Sequence, residues 1–442
     1  MRRSPLTTST AALPLTLRRE SFGGILFDPL DATFVELDED AFDVLTRFAR
    51  DGVRPENAPA VQLLTEVSET VAGLDGRPWR LVGEEELVRE TPVPVLSAPT
   101  LVDFQITNKC FLDCPHCYAS STAAGAHGAL EDVELALDQI AEVGVFQLAI
   151  GGGEPLLHPH IGDILARCHE LGIVPNLTTS GLNLDERTLD LLARYCGAVG
   201  VSLEGVGEDF DSYRKTGFAR FERTLARLRE YGVPTVLQVT LNRETFSRLE
   251  AITEYCLRQE DLYGVIFLAF KPVGRGAVFG APLADLPHRQ VHEGLQAAFK
   301  TLSRATRVGF DCCLTPGVTG LDAGYDSHAA AYLEGCSALR TSIGLSPTLD
   351  VMPCTFTAEH AVGNLKEHHL RDIWHGLNSA TFRGNMAGRA KRNGACGSCA
   401  KYSYCLGGCP VMNLVNCGRD YLGAGALNEF ETERPAAAHI NS

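Results

Sequence analysis

Apolar positions change their period along the chain. In LTLRRE, GILFDP and TFVEL, short apolar runs stand between turn residues, and each predicts a strand. DEDAFDVLTRFARDG moves to the helical period, with Phe42, Val44, Leu45 and Phe48 on one face and Gly52 past its end. AVQLLTEVSETV predicts a second helix. Strands followed by helices over residues 14–92 predict a small winged-helix-like unit behind a loose tail at 1–13. The prolines of TPVPVLSAPT mark 93–100 as a linker.

From 101 to 305 strands and helices alternate. VDFQIT, FQLAI, VPNLTT, AVGVSL, TVLQVTL and GVIFLAF predict strands. They are followed by helical stretches such as LEDVELALDQIAEVG, IGDILARCHELG, LDERTLDLLARYC, FARFERTLARLREYG, FSRLEAITEYCLRQ and RQVHEGLQAAFKTLSRA. Six such units predict an α/β domain with a parallel sheet or an incomplete barrel, whose chemistry sits at the C-terminal ends of the strands. Cys110–Cys117, Gly151–Glu154, Thr179–Gly181 and Ser202–Gly205 all fall there. Residues 306–427 are poorer in regular structure and rich in cysteine, and 428–442 read as disordered.

Composition narrows the partners. A net charge of −16 argues against nucleic acid and against an anionic membrane surface. No apolar run is long enough for a membrane span. Polar SPLTTSTAA follows Arg2 and Arg3, so a secretory signal is not expected and the chain reads as cytoplasmic. Fifteen cysteines without such a signal, crowded at two short spacings, point to metal or cluster ligands rather than disulfides.

Cys110, Cys114 and Cys117 form the first crowd, in NKCFLDCPHCY. Three thiolates on one tight loop can hold three irons of a [4Fe–4S] cluster and leave the fourth open to a substrate or cofactor. The competing readings are three core cysteines or a zinc loop. Cys396, Cys399, Cys405 and Cys409, with Cys336, Cys354 and Cys417, form the second crowd, for which zinc is again the alternative. Cys168, Cys196 and Cys256 lie in helical stretches and read as core.

CFLDCPHCY, GGGEP at 151–155, LTTSG at 177–181 and VSLEG at 201–205 resemble the radical SAM superfamily over about half the chain. The resemblance implies a partial (β/α)6 barrel. Its open iron would bind the amine and carboxylate of S-adenosylmethionine, and the enzyme would generate a 5′-deoxyadenosyl radical. Gly152, Gly153, Glu154 and Pro155 would hold the methionine amine, for which a carboxylate is a fitting acceptor. Tyr118 would set its backbone against the adenine. Thr179, Ser180 and Ser202 would reach the ribose or carboxylate, although a hydroxyl after a strand also serves as a helix cap. The family more often has Asn at Ser180 and Asp at Glu204. KPVGRG at 271–276 is similar to a family turn in which Arg275 would bind a carboxylate in bidentate fashion; a surface turn arginine is the alternative.

The later cysteines resemble the SPASM extension, which implies two auxiliary [4Fe–4S] clusters and three in all. Cys396, Cys399, Cys405 and Cys417 would hold one. Cys336, Cys354 and Cys409 would hold the other, completed by Cys312 or Cys313, with Cys313 favoured. The family often has glycine five residues before Cys354, where this chain has Leu349. Residues 14–92 are similar in pattern to the PqqD-like recognition domain of ribosomal-peptide maturases, which implies leader binding as an added strand.

The function expected is oxidative maturation of a ribosomal precursor peptide, forming a thioether, C–C or C–O link, with flavodoxin or ferredoxin as reductant. Alternatives are a non-peptide substrate, peptide epimerisation, or a non-catalytic peptide-binding scaffold with structural zinc. No acid or base stands out; Asp103, Gln105, Tyr213, Gln238 and Lys271 are candidates to face the cavity.

Overall fold

The computed structural model describes residues 13–52, 57–83, 93–182, 184–214, 216–314, 335–392 and 405–409. β1 (Leu15–Glu20), β2 (Gly23–Asp28) and β3 (Thr33–Leu37) pair antiparallel, and β4 (Trp79–Val82) joins parallel to β1, giving the order β3-β2-β1-β4. α1 (Glu39–Asp51) starts where the Asp38 carboxylate accepts from the Ala41 N–H at 2.8 Å. It ends at Gly52, whose φ of 66° lets its N–H reach the Phe48 carbonyl. α2 (Ala58–Thr70) is capped by Asn57.

Period two sorts this small sheet into two buried faces. Leu15, Leu17 and Leu26 pack on Phe42, Leu45, Phe48 and Leu64 of the helices. Val44, expected on the same face, is half-buried at its flank. The opposite face, with Ile25 and Phe27, lies against Phe146 and Val174 of the larger body, and the Phe27 and Phe146 rings stack at 4.7 Å.

In the larger sheet β5 (Leu101–Thr107), β6 (Gln147–Gly152), β7 (Val174–Thr179), β8 (Val199–Ser202), β9 (Thr235–Leu241) and β10 (Gly264–Ala269) are consecutive parallel neighbours. Between them run α3 (Leu130–Glu142), α4 (Ile161–Glu170), α5 (Glu186–Tyr195), α6 (Glu208–Arg214), α7 (Phe218–Glu230), α8 (Arg243–Ser247) and α9 (Leu249–Leu257). α10 (Gly276–Phe279) and α11 (His288–Leu302) follow β10. The helix expected over 246–259 is two pieces, because the capping box at Asn242 and Thr245 starts α8 early and the chain breaks at Arg248.

The sheet also runs beyond the expected six strands. β11 (Arg307–Phe310) adds parallel to β10, and β12 (Ser342–Leu345) adds parallel to β5. β13 (Asp350–Met352) and β14 (Gly363–Asn364) continue antiparallel, and α12 (Leu370–His375) and α13 (Leu377–Arg392) follow. The cysteine-rich segment is thus hydrogen-bonded directly to the first strand of the parallel set.

Along β5 to β10, outward residues such as Val102, Phe104, Leu148, Leu177, Val239 and Phe267 are buried under the helices. The alternate residues face the other way and are largely polar. Asn176 donates to Gln147 at 2.9 Å, and Gln238 donates to Thr178 at 3.1 Å. A polar lining on a parallel sheet departs from the usual apolar run and marks the side where a polar ligand enters.

Candidate active site

Cys110, Cys114 and Cys117 lie on the loop after β5, and this loop is fixed by its backbone. The Cys117 N–H donates to the Cys114 carbonyl, and the Leu112 N–H points at the Cys110 Sγ, 3.4 Å away. Arg275, from the turn after β10, donates through Nε to the Cys114 carbonyl at 3.0 Å and through Nη1 to the Ser121 carbonyl at 2.6 Å. Its own N–H donates to the Cys117 carbonyl at 3.0 Å. The guanidinium thus holds the cysteine loop in shape, with Nε also 3.5 Å from the Asp113 carboxylate. Gly274 permits the approach: its φ is 59°, and a Cβ there would lie 2.2 Å from the Tyr118 carbonyl.

Gly152 ends β6, Gly153, Glu154 and Pro155 follow it, and the run presses on the same loop. Gly153 and Glu154 donate from their N–H groups to the Thr107 and Lys109 carbonyls at 2.7 and 2.8 Å. A Cβ on Gly153 would come within 2.2 Å of the Lys109 carbonyl, so the run admits no side chain there. Glu154 is 3% exposed. Its carboxylate accepts from Thr179 Oγ1 at 2.7 Å, from the Ser180 N–H at 2.8 Å and from the Ser180 hydroxyl. The ends of β6 and β7 are thereby tied together beside the cysteines. Ser202 closes β8 opposite Gln238.

The burial of Cys110 and Cys114 pushes both thiols up, and each is pushed further by its cysteine neighbours. Arg214 opposes this at Cys114, with Nη1 3.8 Å from the sulfur. Three soft donors gathered with backbone and cationic support fit the three occupied corners of a [4Fe–4S] cluster. Arg214 was not anticipated. Its Nε donates to Glu204 at 2.7 Å, and His116, between two of the cysteines, has Nε2 3.4 Å from the same carboxylate. Burial pushes the Glu204 carboxyl up, but the charge and hydrogen bonds of Arg214, with His116, prevail and hold it at about 2. VSLEG contained this glutamate, but only the fold brings α6 and the cysteine loop to it.

A second group of thiols forms where the chain leaves β11. Cys312 is hydrogen-bonded with Cys313 and Cys336, and Cys313 with Cys409. Cys354 and Cys409 lie close enough to act on Cys336 electrostatically. The bonds from Cys313 and Cys336 pull the Cys312 thiol down, while those two are pushed up; burial drives Cys354 up to about 12. Both Cys312 and Cys313 therefore join Cys336, Cys354 and Cys409. Among the described residues no three such side chains are arranged to hold a single metal ion. Leu349 has a φ of 69° and a fully buried side chain, so it adopts the backbone that glycine favours. Cys405 is described, whereas Cys396, Cys399 and Cys417 lie outside the described residues. Cys168, Cys196 and Cys256 are in the core.

A buried polar chain spans the two groups. Tyr118, next to Cys117, shares hydrogen bonds with Gln105 and Thr355. Thr355, next to Cys354, donates to Asp103 Oδ2 at 2.9 Å. Burial lifts the Asp103 carboxyl to about 6, against the pull of Thr355 and Lys271. Lys271 pairs with Asp311 and lies 4.5 Å over the Phe356 ring. Gln238 lines the sheet, while the Tyr213 hydroxyl is spent on Asn242 and Glu244.

Residues 104–256 match the model of the Radical SAM superfamily, and residues 336–400 match that of SPASM, an iron–sulfur cluster-binding domain. The PqqA peptide cyclase of Ruegeria pomeroyi is 27% identical over 347 residues, 74% of this chain and 87% of the relative. The AdoMet-dependent heme synthase of Methanosarcina barkeri is 27% identical over 353 residues, 75% and 96% of the two chains. The mycofactocin maturase MftC of Mycobacterium tuberculosis is 29% identical over 376 residues, 78% and 89%. SuiB of Streptococcus suis, bound to its precursor peptide SuiA, superposes with a TM-score of 0.67 at 19% identity over 91% of this chain and 95% of that one. That last likeness is one of fold.

Proposed function

From a chain that carries a radical SAM domain and a SPASM domain, we infer an S-adenosylmethionine-dependent iron–sulfur enzyme that oxidatively matures a ribosomally made precursor peptide. The observation that carries this reading is the knot of Glu154, Thr179 and Ser180 against a loop of three thiols, at the mouth of a polar-lined parallel sheet. Peptide-modifying relatives support the substrate class: a PqqA peptide cyclase and a mycofactocin maturase align over about three quarters of the chain.

Reduced and with S-adenosylmethionine on its open iron, a [4Fe–4S] cluster supplies a hydrogen-atom abstractor, and auxiliary clusters supply one-electron acceptors. Cys110, Cys114 and Cys117 would hold the first. Glu154 would turn its carboxylate to the methionine ammonium, with Gly152, Gly153 and Pro155 shaping the turn. Tyr118, Thr179, Ser180 and Ser202 would flank the nucleoside, and Arg275 would keep the loop in register. Cys336, Cys354 and Cys409, completed by Cys313, would hold a second cluster. Cys396, Cys399, Cys405 and Cys417 would hold a third.

Residues 14–92 would recognise the leader. β3 is one of the two outer strands of its sheet, and Phe34 on it is 53% exposed, which supports strand addition there. No helix among the described residues is long and apolar enough to cross a membrane. A cytoplasmic setting with flavodoxin or ferredoxin as reductant completes the reading.

The test is anaerobic co-expression with the short peptide encoded beside the gene, followed by intact mass. Loss of two hydrogens per event is the expected result, and deletion of residues 1–92 should abolish it. Turnover that survives the deletion would shift the assignment to a small-molecule substrate. Zinc without sulfide in the purified chain would end the radical reading.

A further inference from the structure

Between the two thiol groups the hollow side of β5 carries one carboxylate. Asp103 stands in register with Ala149 on β6 and Gly344 on β12, neither of which has a polar side chain. The missing side chain of Gly344 lets the Cys354–Thr355 backbone come in beside it, since a Cβ there would lie 2.7 Å from the Thr355 nitrogen, and Asp103 keeps accessible surface although it lies deep in the fold. Oδ2 accepts from Thr355; among the described residues Oδ1 accepts no hydrogen bond. The charged and titratable groups facing it are Tyr118 from the cysteine loop and Lys271 from the turn after β10, the latter held by Asp311.

The other buried carboxylates are spoken for. Glu154 accepts from Thr179 and Ser180 on both its oxygens, Glu204 pairs with Arg214, and Asp311 accepts from Lys271 and the Ala269 N–H. Asp103 alone among these four combines burial with an oxygen open to the hollow.

We propose that Asp103 is the base that takes the proton released when the substrate radical closes its new bond. This rests on the oxidative peptide reading above. The peptide first loses a hydrogen atom from carbon. The carbon radical then bonds to a thiol, hydroxyl or ring carbon of the same peptide. As that bond forms, the X–H bond breaks, and its proton goes to Asp103 Oδ1 to give the neutral acid. An oxidised iron–sulfur centre, which the Cys336, Cys354 and Cys409 group would hold, would supply the acceptor for the surplus electron. The peptide is oxidised by two electrons and loses two hydrogens in all. A carboxyl already raised to about 6 is a better proton acceptor near neutral pH than an ordinary aspartate.

The experiment uses the full, cluster-loaded chain, as wild type, Asp103→Asn and Asp103→Glu, with the neighbouring precursor peptide in deuterated form. Asp103→Asn should keep its iron and still move deuterium into 5′-deoxyadenosine. The ratio of 5′-deoxyadenosine to cross-linked peptide should rise at least about tenfold, with a peptide radical visible by freeze-quench electron paramagnetic resonance. Asp103→Glu should restore most of the coupling.

In the wild type that ratio should rise as pH falls through about 6, and in Asp103→Asn it should stay flat. Turnover aside, the melting temperature of Asp103→Asn should gain on the wild type between about pH 4 and 6 and hold that gain above. An unchanged ratio, loss of deuterium transfer with iron intact, or loss of iron would each overturn the assignment. If wild type moves no deuterium from the peptide, the peptide reading fails first and this inference falls with it.

Discussion

Replacing Arg18 by Met should undock the N-terminal sheet while leaving both hydrophobic cores whole. Arg18 and Glu20 are each 1% exposed and pair at 2.8 Å. Arg18 Nη1 also donates to the Pro99 carbonyl at 2.8 Å and the Gly144 carbonyl at 2.9 Å, and the guanidinium lies 4.5 Å over the Phe146 ring. Glu20 accepts further from the Ser97 N–H and hydroxyl. Met keeps much of the stem but strips Glu20 of its counter-charge and two carbonyls of their donor. Removing one partner of a buried pair costs about 3–5 kcal/mol. Here the loss falls on the joint between the two sheets.

Hydrogen exchange read by mass spectrometry should show amides around 97–101 and 144–147 losing at least about a hundredfold of protection, since about 1.4 kcal/mol is a factor of ten. The core strands β7 to β9 should be unchanged. Arg18→Met with Glu20→Leu should recover most of the protection, because the buried charge is gone as well. Under the leader-binding role proposed for residues 14–92, leader affinity should survive in the single variant while turnover per bound peptide falls, since that unit and the barrel are no longer held together. Wild-type exchange in Arg18→Met, or a double variant as exposed as the single, would refute the reasoning.

Further outcomes follow from the site. Glu154→Gln replaces one acceptor oxygen by a donor facing Thr179 and Ser180, so S-adenosylmethionine affinity measured by equilibrium dialysis should fall at least about tenfold with iron content unchanged. The Glu204 carboxyl is held at about 2 from an ordinary 4.5, so the stability it lends is full above about pH 4.5 and is lost as pH falls toward 2; the shift is worth about 3 kcal/mol. Arg214→Met should erase that dependence, and denaturant melts whose gap from wild type stays constant down to about pH 3 would refute it. Cys313→Ala should lower the iron and sulfide count; a variant that keeps all its iron and activity would remove Cys313 from the ligands and leave Cys312 in its place.

Much of this was legible in the chain because it is local. A helix announces itself by a 3.6-residue period, as at Phe42, Leu45 and Phe48, and a cluster loop by cysteines that need no distant partner to be close. Of the glycines before Glu154, Gly152 and Gly153 are demanded by close approach to the Thr107 and Lys109 carbonyls, whereas Gly151 has open space beside it. β4 was missed because a four-residue run with Arg80 inside it becomes a strand only by pairing with β1. β12 was missed for the same reason, being a strand through its register with β5. The loop partners of Arg275 were not legible, because the Cys114 and Ser121 carbonyls and the Asp113 carboxylate reach its guanidinium only once the turn after β10 meets the cysteine loop.

The sequence by itself determined the alternation of strands and helices, the three-cysteine loop and the polar edge of each strand, because each depends on residues a few positions apart. Only the tertiary structure decided that Asp103 meets Thr355 in the hollow, that Arg214 answers Glu204 beside Cys114, and that Arg18 bolts one sheet to the other. Those pairings join segments distant in sequence. Their charges are tolerable only because burial and partner arrive together, and nothing in a one-dimensional pattern records which partner that will be.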